Sequence, residues 1–243
     1  MSTTKTALIT GANKGIGLET ARQLAQQGVS VIIGSRNPDN GERAAEQLRD
    51  EGLQAHSVVL DVGDPISIQT AADTVKAGFG KLDILINNAG VMLDRADLNV
   101  SEQPLDIWRK TFNVNLFGLI ATTHAFLPLL RQSDSGRIVN VSSILGSNTL
   151  HSDPTSPIYD HKIPAYNVSK SAVNAWTVHL AYELRNTNIK VNAVHPGWVK
   201  TELGGDGAEM EIPDGAKTSV ALALIPADGP NGGYFHMNDP LPW

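Results

Sequence analysis

Short apolar runs alternate along this chain with longer segments of helical periodicity. TALIT (6–10), SVIIGS (30–35), HSVVLD (56–61), LDILIN (82–87), RIVNVS (137–142), KVNAVH (190–195) and GYFHM (233–237) are the strand candidates. Most are continuous rather than alternating, the pattern of strands covered on both faces. Helical segments lie near 15–28, 39–51, 65–79, 102–131, 164–186 and 215–225. This alternation predicts right-handed crossovers and an α/β fold with a doubly wound parallel sheet of about seven strands. No Pro- or Gly-rich linker interrupts it, so residues 1–243 read as a single domain.

Two connections exceed the usual length of about 4–6 residues. They span 145–163, rich in Ser, Pro, His and Asp, and 198–214, which carries Gly204, Gly205 and Gly207. Both follow strand ends on the side where open α/β sheets bind ligands. They are predicted to be substrate walls and lids, with plain surface excursions as the alternative.

Composition narrows the function. Hydrophobic residues make up 41% of the chain, enough for a sizeable core, and the net charge of −6 argues against a nucleic-acid partner. There is no cysteine, hence neither a disulfide nor a thiolate metal site. No HExxH or similar spacing occurs, so no catalytic metal is expected. MSTTKTALIT leads almost directly into a strand and lacks the apolar core of a signal peptide, which sets a soluble cytoplasmic protein as the expectation. The uncharged stretch Asn113–Leu130 includes Asn, Thr, His and Pro, and is read as a buried central helix rather than a membrane span.

The first strand runs into TGANKGIG (10–17). Gly11, Gly15 and Gly17 therefore lie between a strand and a helix, where side chains would block a tight turn and the close approach of a pyrophosphate. The helix N-terminus that follows supplies N–H groups and a positive dipole end. The second strand ends IIGSRN, with no acid at its tip to receive ribose hydroxyls. Ser35 and Arg36, with Lys14 in the glycine turn, form a cradle suited to a 2′-phosphate and favour NADP(H). Asp61, ending the third strand, either accepts from the adenine amino group or caps the next helix, a task for which Asp64 is better placed.

AYNVSK (165–170) places a phenol and an amine four residues apart, on one face of a helix that Pro164 is suited to start. A free tyrosine has a pKa of about 10: a usable proton donor, but a poor base at neutral pH. A neighbouring ammonium favours the phenolate, whereas burial opposes it.

TGANKGIG, Asp61, NNAG (87–90), Asn115, VSS (141–143), YNVSK (166–170) and HPGWVKT (195–201), in this order, resemble the short-chain dehydrogenase/reductase family over nearly the whole chain. The closer likeness is to its carbonyl-reductase branch. The resemblance implies a Rossmann-type fold, with Tyr166 as acid/base, Lys170 as its activating partner, and Ser143 as the catalytic serine, Gly146 following at the family's Ser-x-x-Gly spacing. It implies that Asn115 orders a water in the proton relay. Cofactor contacts implied are Gly11, Asn13, Lys14, Gly15, Ile16, Gly17, Ser35, Arg36, Asp61, Val62, Asn88, Ala89, Gly90, Tyr166 and Lys170. Pro196, Gly197 and Val199 would line the nicotinamide, and Thr201 would bind its amide or a phosphate. Ser143 and Tyr166 stand 23 residues apart, more than in many members and less than in animal carbonyl reductases.

Carbonyl reduction needs a hydride on carbon and a proton on oxygen; the cofactor carries the first and the phenol the second. Ser143 would donate to the developing alkoxide. The expected activity is NADPH-dependent reduction of ketones or aldehydes. Alcohol oxidation, 3-oxoacyl reduction and a noncatalytic NADP-sensing scaffold are the alternatives. His151 and His161 are read as solvated loop residues, Trp198 and Met210 as pocket lining, and Trp108 and Trp176 as packing or subunit contacts. The resemblance implies that helices 102–131 and 164–186 commonly pair between subunits, whereas branches with insertions before the tyrosine can be monomeric; a homodimer or homotetramer is the expectation, with a monomer as the alternative.

Overall fold

In a computed structural model, residues 4–243 are described. β1 (Thr6–Thr10), α1 (Gly15–Gln26), β2 (Ser30–Ser35), α2 (Pro38–Asp50), β3 (Ala55–Val59), α3 (Pro65–Phe79) and β4 (Ile84–Asn87) form the first half. The second holds α4 (Leu105–Phe112), α5 (Leu119–Leu130), β5 (Arg137–Val141), α6 (Asn148–Ser152), α7 (Pro164–Glu183), β6 (Lys190–Val194), α8 (Ile212–Ala223), β7 (Tyr234–His236) and β8 (Asp239–Pro240). The strands make one sheet in the order β3-β2-β1-β4-β5-β6-β7-β8. Every pairing is parallel except β7 with β8.

The continuous apolar runs have a simple cause. Ala7 and Ile9 of β1 face a core shared with α1, α2 and α8, whereas Leu8 between them faces α3, α5 and α7. β2 and β4 divide the same way, with Val31, Ile33, Ile84 and Ile86 on one face and Ile32 and Leu85 on the other. A strand covered on both faces has no position left for a polar alternation.

Among the described residues the sheet has eight strands where the sequence predicts about seven. The extra strand is a two-residue hairpin arm, too short to show a period. The preceding run is shorter than GYFHM suggests because Met237 turns with φ 52°. The predicted helix 102–131 is interrupted: α4 passes into a wide π-helical turn, Asn113–Gly118, before α5. Leu105–Leu130 has the length and mean hydropathy, 1.3, of a membrane span. Its buried side nevertheless carries Thr111, Asn115, Thr122 and Thr123. The fold places it against α3 and α7.

The strand order reverses beside β1, whose neighbours are β2 and β4. Loops leaving β1 and β4 on either side of this switch point open a crevice at the carboxyl edge. The wall on the β5 side is built from the segment after Val141 and the start of α7.

Candidate active site

The glycine turn begins the crevice. Gly11 and Gly15 take φ of +63° and +57°, which side chains rarely adopt, and a Cβ on Gly17 would lie 2.6 Å from Asn88 Nδ2. Asn88 donates from that nitrogen to the Thr10 carbonyl at 2.9 Å, while Thr10 Oγ1 accepts from the N–H groups of Asn88 and Ala89. The turns after β1 and β4 are thereby locked together. Lys14, in the capping position of α1, contributes no side-chain bond, and no side chain among the described residues accepts from the helix's first-turn N–H groups. Its first-turn N–H groups thus face the cleft with a positive dipole end, the arrangement an anion needs. Across the cleft, Thr201 Cγ2 lies 3.5 Å from the Cβ position of Gly15, so the segment after β6 forms the opposite lip. A dinucleotide pyrophosphate fits this cradle.

The adenosine end departs from the sequence expectation in its details. Lys14 Nζ pairs with Glu202, a residue the sequence reading did not single out. Ser35 is buried and spends its hydroxyl proton on the Asn37 carbonyl at 2.8 Å, inside the β2–α2 turn. Arg36 is exposed and forms no ion pair among the described residues. A groove of about 320 Å³ beside the turn is lined by Asn13, Lys14, Asn40, Arg43, Ala44 and Gln47. Arg43, on the first turns of α2, thus adds a cation next to Lys14. Asp61 Oδ1 accepts from Gly63 N–H at 2.9 Å, and Asp64 caps α3 by accepting from Ile66 N–H. Val62 packs beside the core at the same strand end.

The chemistry-bearing groups gather at the ends of β4 and β5. Lys170 is buried and its Nζ donates to the Val141 carbonyl at 2.8 Å. The same nitrogen lies 5.6 Å from the centre of the Tyr166 ring. A Cβ on Gly90 would sit 3.5 Å from both Lys170 Nζ and Asn115 Oδ1, so this glycine keeps an open corner between them. Asn115 lies in the π-helical turn and bonds both backbone groups of Val91: Oδ1 accepts at 2.8 Å and Nδ2 donates at 2.9 Å. Nδ2 also donates to Ser169 Oγ at 3.0 Å. What the geometry shows for Asn115 is a tie between the loop after β4 and α7. π-helical turns recur at such sites because they re-aim one side chain inside a long helix.

Ser143 follows the last ladder bond of β5, Ser142 N–H to the Val194 carbonyl. Its hydroxyl neighbours the Tyr166 phenol and lowers that group's pKa, but burial outweighs this and pushes Tyr166 up to about 12. Burial also brings Lys170 down to about 8. Tyr166 is therefore a proton donor at neutral pH, and the ammonium, bonded to Val141, does not overcome its desolvation. Gly146 explains the Ser-x-x-Gly spacing. A Cβ there would lie 2.9 Å from the Lys170 carbonyl carbon, so only glycine lets the turn after Ser143 rest directly on α7. Ser142, Ser171 and Asn174 bond across that seam.

Two further residues escaped the sequence reading. Asp94 accepts from the N–H groups of Ala165 and Tyr166, at 2.7 and 3.1 Å, capping α7 from a distant loop. Tyr234 donates to the Ser143 carbonyl at 2.5 Å. Neither belongs to a local motif; only the fold brings them close.

The predicted loops are more structured than their composition suggests. Residues 145–163 include α6, and His151 bonds the Leu145 carbonyl at 3.0 Å. Residues 198–214 fold back through a bridge between Val199 and Met210. Gly197 has φ +101°, and a Cβ there would collide with Met210, which closes over Pro196–Gly197. Trp198 is exposed and donates from Nε1 to the Gly204 carbonyl. Thr201 Oγ1 accepts from Gly204 N–H at 3.1 Å. Trp176 packs at the edge of the core, and Trp108 lies against Phe112.

The profile of the family described as short chain dehydrogenase matches residues 5–211. Short-chain dehydrogenase/reductase 1 of Saponaria officinalis is 34% identical over 290 residues, spanning 98% of this chain and 95% of that protein. Carbonyl reductase (NADPH) 1 of Mus musculus is 31% identical over 276 residues, spanning 98% of each. Among solved structures, salutaridine reductase from Papaver somniferum superposes with a TM-score of 0.81 at 30% identity, over 95% of this chain and 99% of that one. Both sequence alignments are longer than the 243 residues of this chain, so both relatives carry residues that it lacks.

Proposed function

Because this chain belongs to the short-chain dehydrogenase/reductase family, we propose that it is an NADPH-dependent carbonyl reductase acting on ketones or aldehydes. The observation that carries the reading is the meeting of Ser143, Tyr166 and Lys170, all buried, beside a glycine-lined crevice at the switch point of the sheet. A binding scaffold has no use for a buried phenol and a buried amine held at the mouth of a nucleotide cleft. An oxidoreductase does.

The bound cofactor would supply the hydride. Ser143 Oγ–H hydrogen-bonds the substrate carbonyl oxygen and stabilises the charge that develops there, a type of contact worth on the order of 3–4 kcal/mol. Tyr166 Oη gives its proton to that oxygen. Its raised pKa keeps the proton available throughout the neutral range. Lys170, as an ammonium, stabilises the phenolate left behind. Asn115 ties down the loop that borders this corner, and Gly90 leaves the corner open.

The preference for NADPH rests on Lys14, Arg36 and Arg43 around the end of β2 and on the lack of an acid at its tip. Pairing of Lys14 with Glu202 means that a 2′-phosphate must displace a carboxylate there. Exposed Phe117, Val168, Val178 and Tyr182, on and beside α5 and α7, support assembly through those helices into a dimer or tetramer.

The test is cofactor consumption with NADPH and with NADH across aromatic ketones, aldehydes and acyl thioesters. The reading expects NADPH oxidation with ketones or aldehydes. Turnover confined to acyl thioesters would reassign the substrate, and none with any carbonyl would refute the activity.

A further inference from the structure

Tyr234 is a buried phenol that the scheme above leaves without a task. It opens β7 and is only 2% exposed. Burial pushes its pKa far above the ordinary tyrosine value, and the neighbouring Tyr166 pushes it further, so Tyr234 keeps its proton. That proton goes to the backbone carbonyl of Ser143, at 2.5 Å. The same carbonyl accepts from Gly146 N–H at 2.8 Å, so both its lone pairs are used. Ser143 itself is in ordinary extended backbone, φ −159° and ψ 150°, and lies beyond the last ladder bond of β5. Sheet pairing does not hold its carbonyl; the local turn bond from Gly146 does so from one side, and Tyr234 adds a second restraint from across the molecule.

The restraint is itself held. The indole of Trp243 stacks on the Tyr234 ring, centroids 5.4 Å apart and planes 20° from parallel. The Trp243 carbonyl then accepts from Thr149 N–H at 2.9 Å and Ser147 Oγ at 3.2 Å, in the segment that continues from Ser143. The strap from β7 is thus tied to the serine turn at two points, and Leu241 N–H to the Tyr234 carbonyl at 2.8 Å closes it on itself.

We infer that Tyr234, clamped by Trp243, is a positioning residue that fixes the peptide plane of Ser143 and so aims the serine hydroxyl at the substrate oxygen. The inference rests on the carbonyl-reductase reading. With the carbonyl held, the backbone that carries Cβ is restrained, and Oγ accepts from Leu145 N–H at 3.2 Å, which limits its rotation about χ1. Misplacing such a donor by about 1 Å costs up to roughly a hundredfold in rate.

The experiment is a double-mutant cycle between Tyr234→Phe and Ser143→Ala, read as kcat and as the KM for NADPH, with thermal unfolding as the folding control. The expected result is a fall in kcat of roughly ten- to hundredfold for Tyr234→Phe, an unchanged KM for NADPH, and no further loss when the substitution is added to Ser143→Ala. Should Tyr234→Phe not fold, Trp243→Phe and Trp243→Ala replace it; the phenyl ring retains activity, and alanine loses it only when Ser143 is present. An equal loss in both serine backgrounds, or no loss at all, overturns the inference while leaving the proposed activity standing. A wild-type protein that turns over no carbonyl refutes the activity and the inference together.

Discussion

The carboxylate of Asp94 holds the start of α7 at Tyr166, accepting the N–H groups of Ala165 and Tyr166. Ile163, the residue in the capping position, contributes no side-chain bond, so the helix end that carries the phenol is capped by another loop. That loop follows the Asn88–Gly90 turn at the cofactor crevice. Its position and that of the phenol are therefore mechanically linked.

Removing this cap should loosen the phenol without touching the cofactor contacts. Asp94→Ala is expected to cost about 0.5–2 kcal/mol of stability and to lower kcat more than it raises the KM for NADPH. Asp94→Asn keeps one acceptor oxygen and should recover part of the loss. Thermal unfolding and steady-state kinetics of the two variants check this; an unchanged kcat in Asp94→Ala would show that the cap does not position Tyr166.

Cofactor choice can be tested at the Lys14–Glu202 pair. The two side chains are well exposed, so the pair adds little to stability. Its expected effect is on the cation available to a 2′-phosphate. Glu202→Gln should tighten NADPH binding and leave NADH nearly unchanged, whereas neutral replacements at Arg36 or Arg43 should weaken NADPH far more than NADH. Dissociation constants for both cofactors measure this directly. Equal changes for the two would remove these residues from phosphate recognition.

Activity and stability should part company in mild alkali. Burial lowers Lys170 from 10.5 to about 8, so between these values the folded protein has shed a proton that the unfolded chain still binds. Stability attributable to this lysine therefore rises with pH across that window. Reduction should instead fall as pH passes about 8, because the charge that stabilises the phenolate is lost. Tyr166, raised from 10.0 to about 12, remains protonated there and does not cause the decline; its own contribution to stability is lost only as pH rises above 10. A pH profile of kcat/KM beside thermal unfolding at the same pH values would show the two trends. A rate flat well beyond pH 8 would contradict the role of Lys170.

Much of the architecture was legible because its signals are local. The two-faced strands, the glycine turn and the i, i+4 pair of Tyr166 and Lys170 each write themselves into a few consecutive residues. Other features have no such record. β8 is two residues long. The π-helical turn around Asn115 keeps the apolar content of a plain helix. Asp94, Arg43, Glu202 and Tyr234 reach the site only through tertiary folding, the last with its bond to a residue 91 positions away. Ser35, expected beside Arg36 and Lys14 in a phosphate cradle, donates its hydroxyl to the Asn37 carbonyl within the turn, a bond no local motif announces. Gly146 is the converse: its spacing is visible in the sequence, whereas the reason for it, contact with the Lys170 backbone, arises only in the fold.

The most direct test of the proposed chemistry is turnover by Tyr166→Phe, with NADPH affinity measured on the same preparation. The account predicts that kcat falls by about 100-fold or more while the dissociation constant for NADPH hardly moves, since only the proton donor is removed. Near-wild-type turnover by that variant would contradict it.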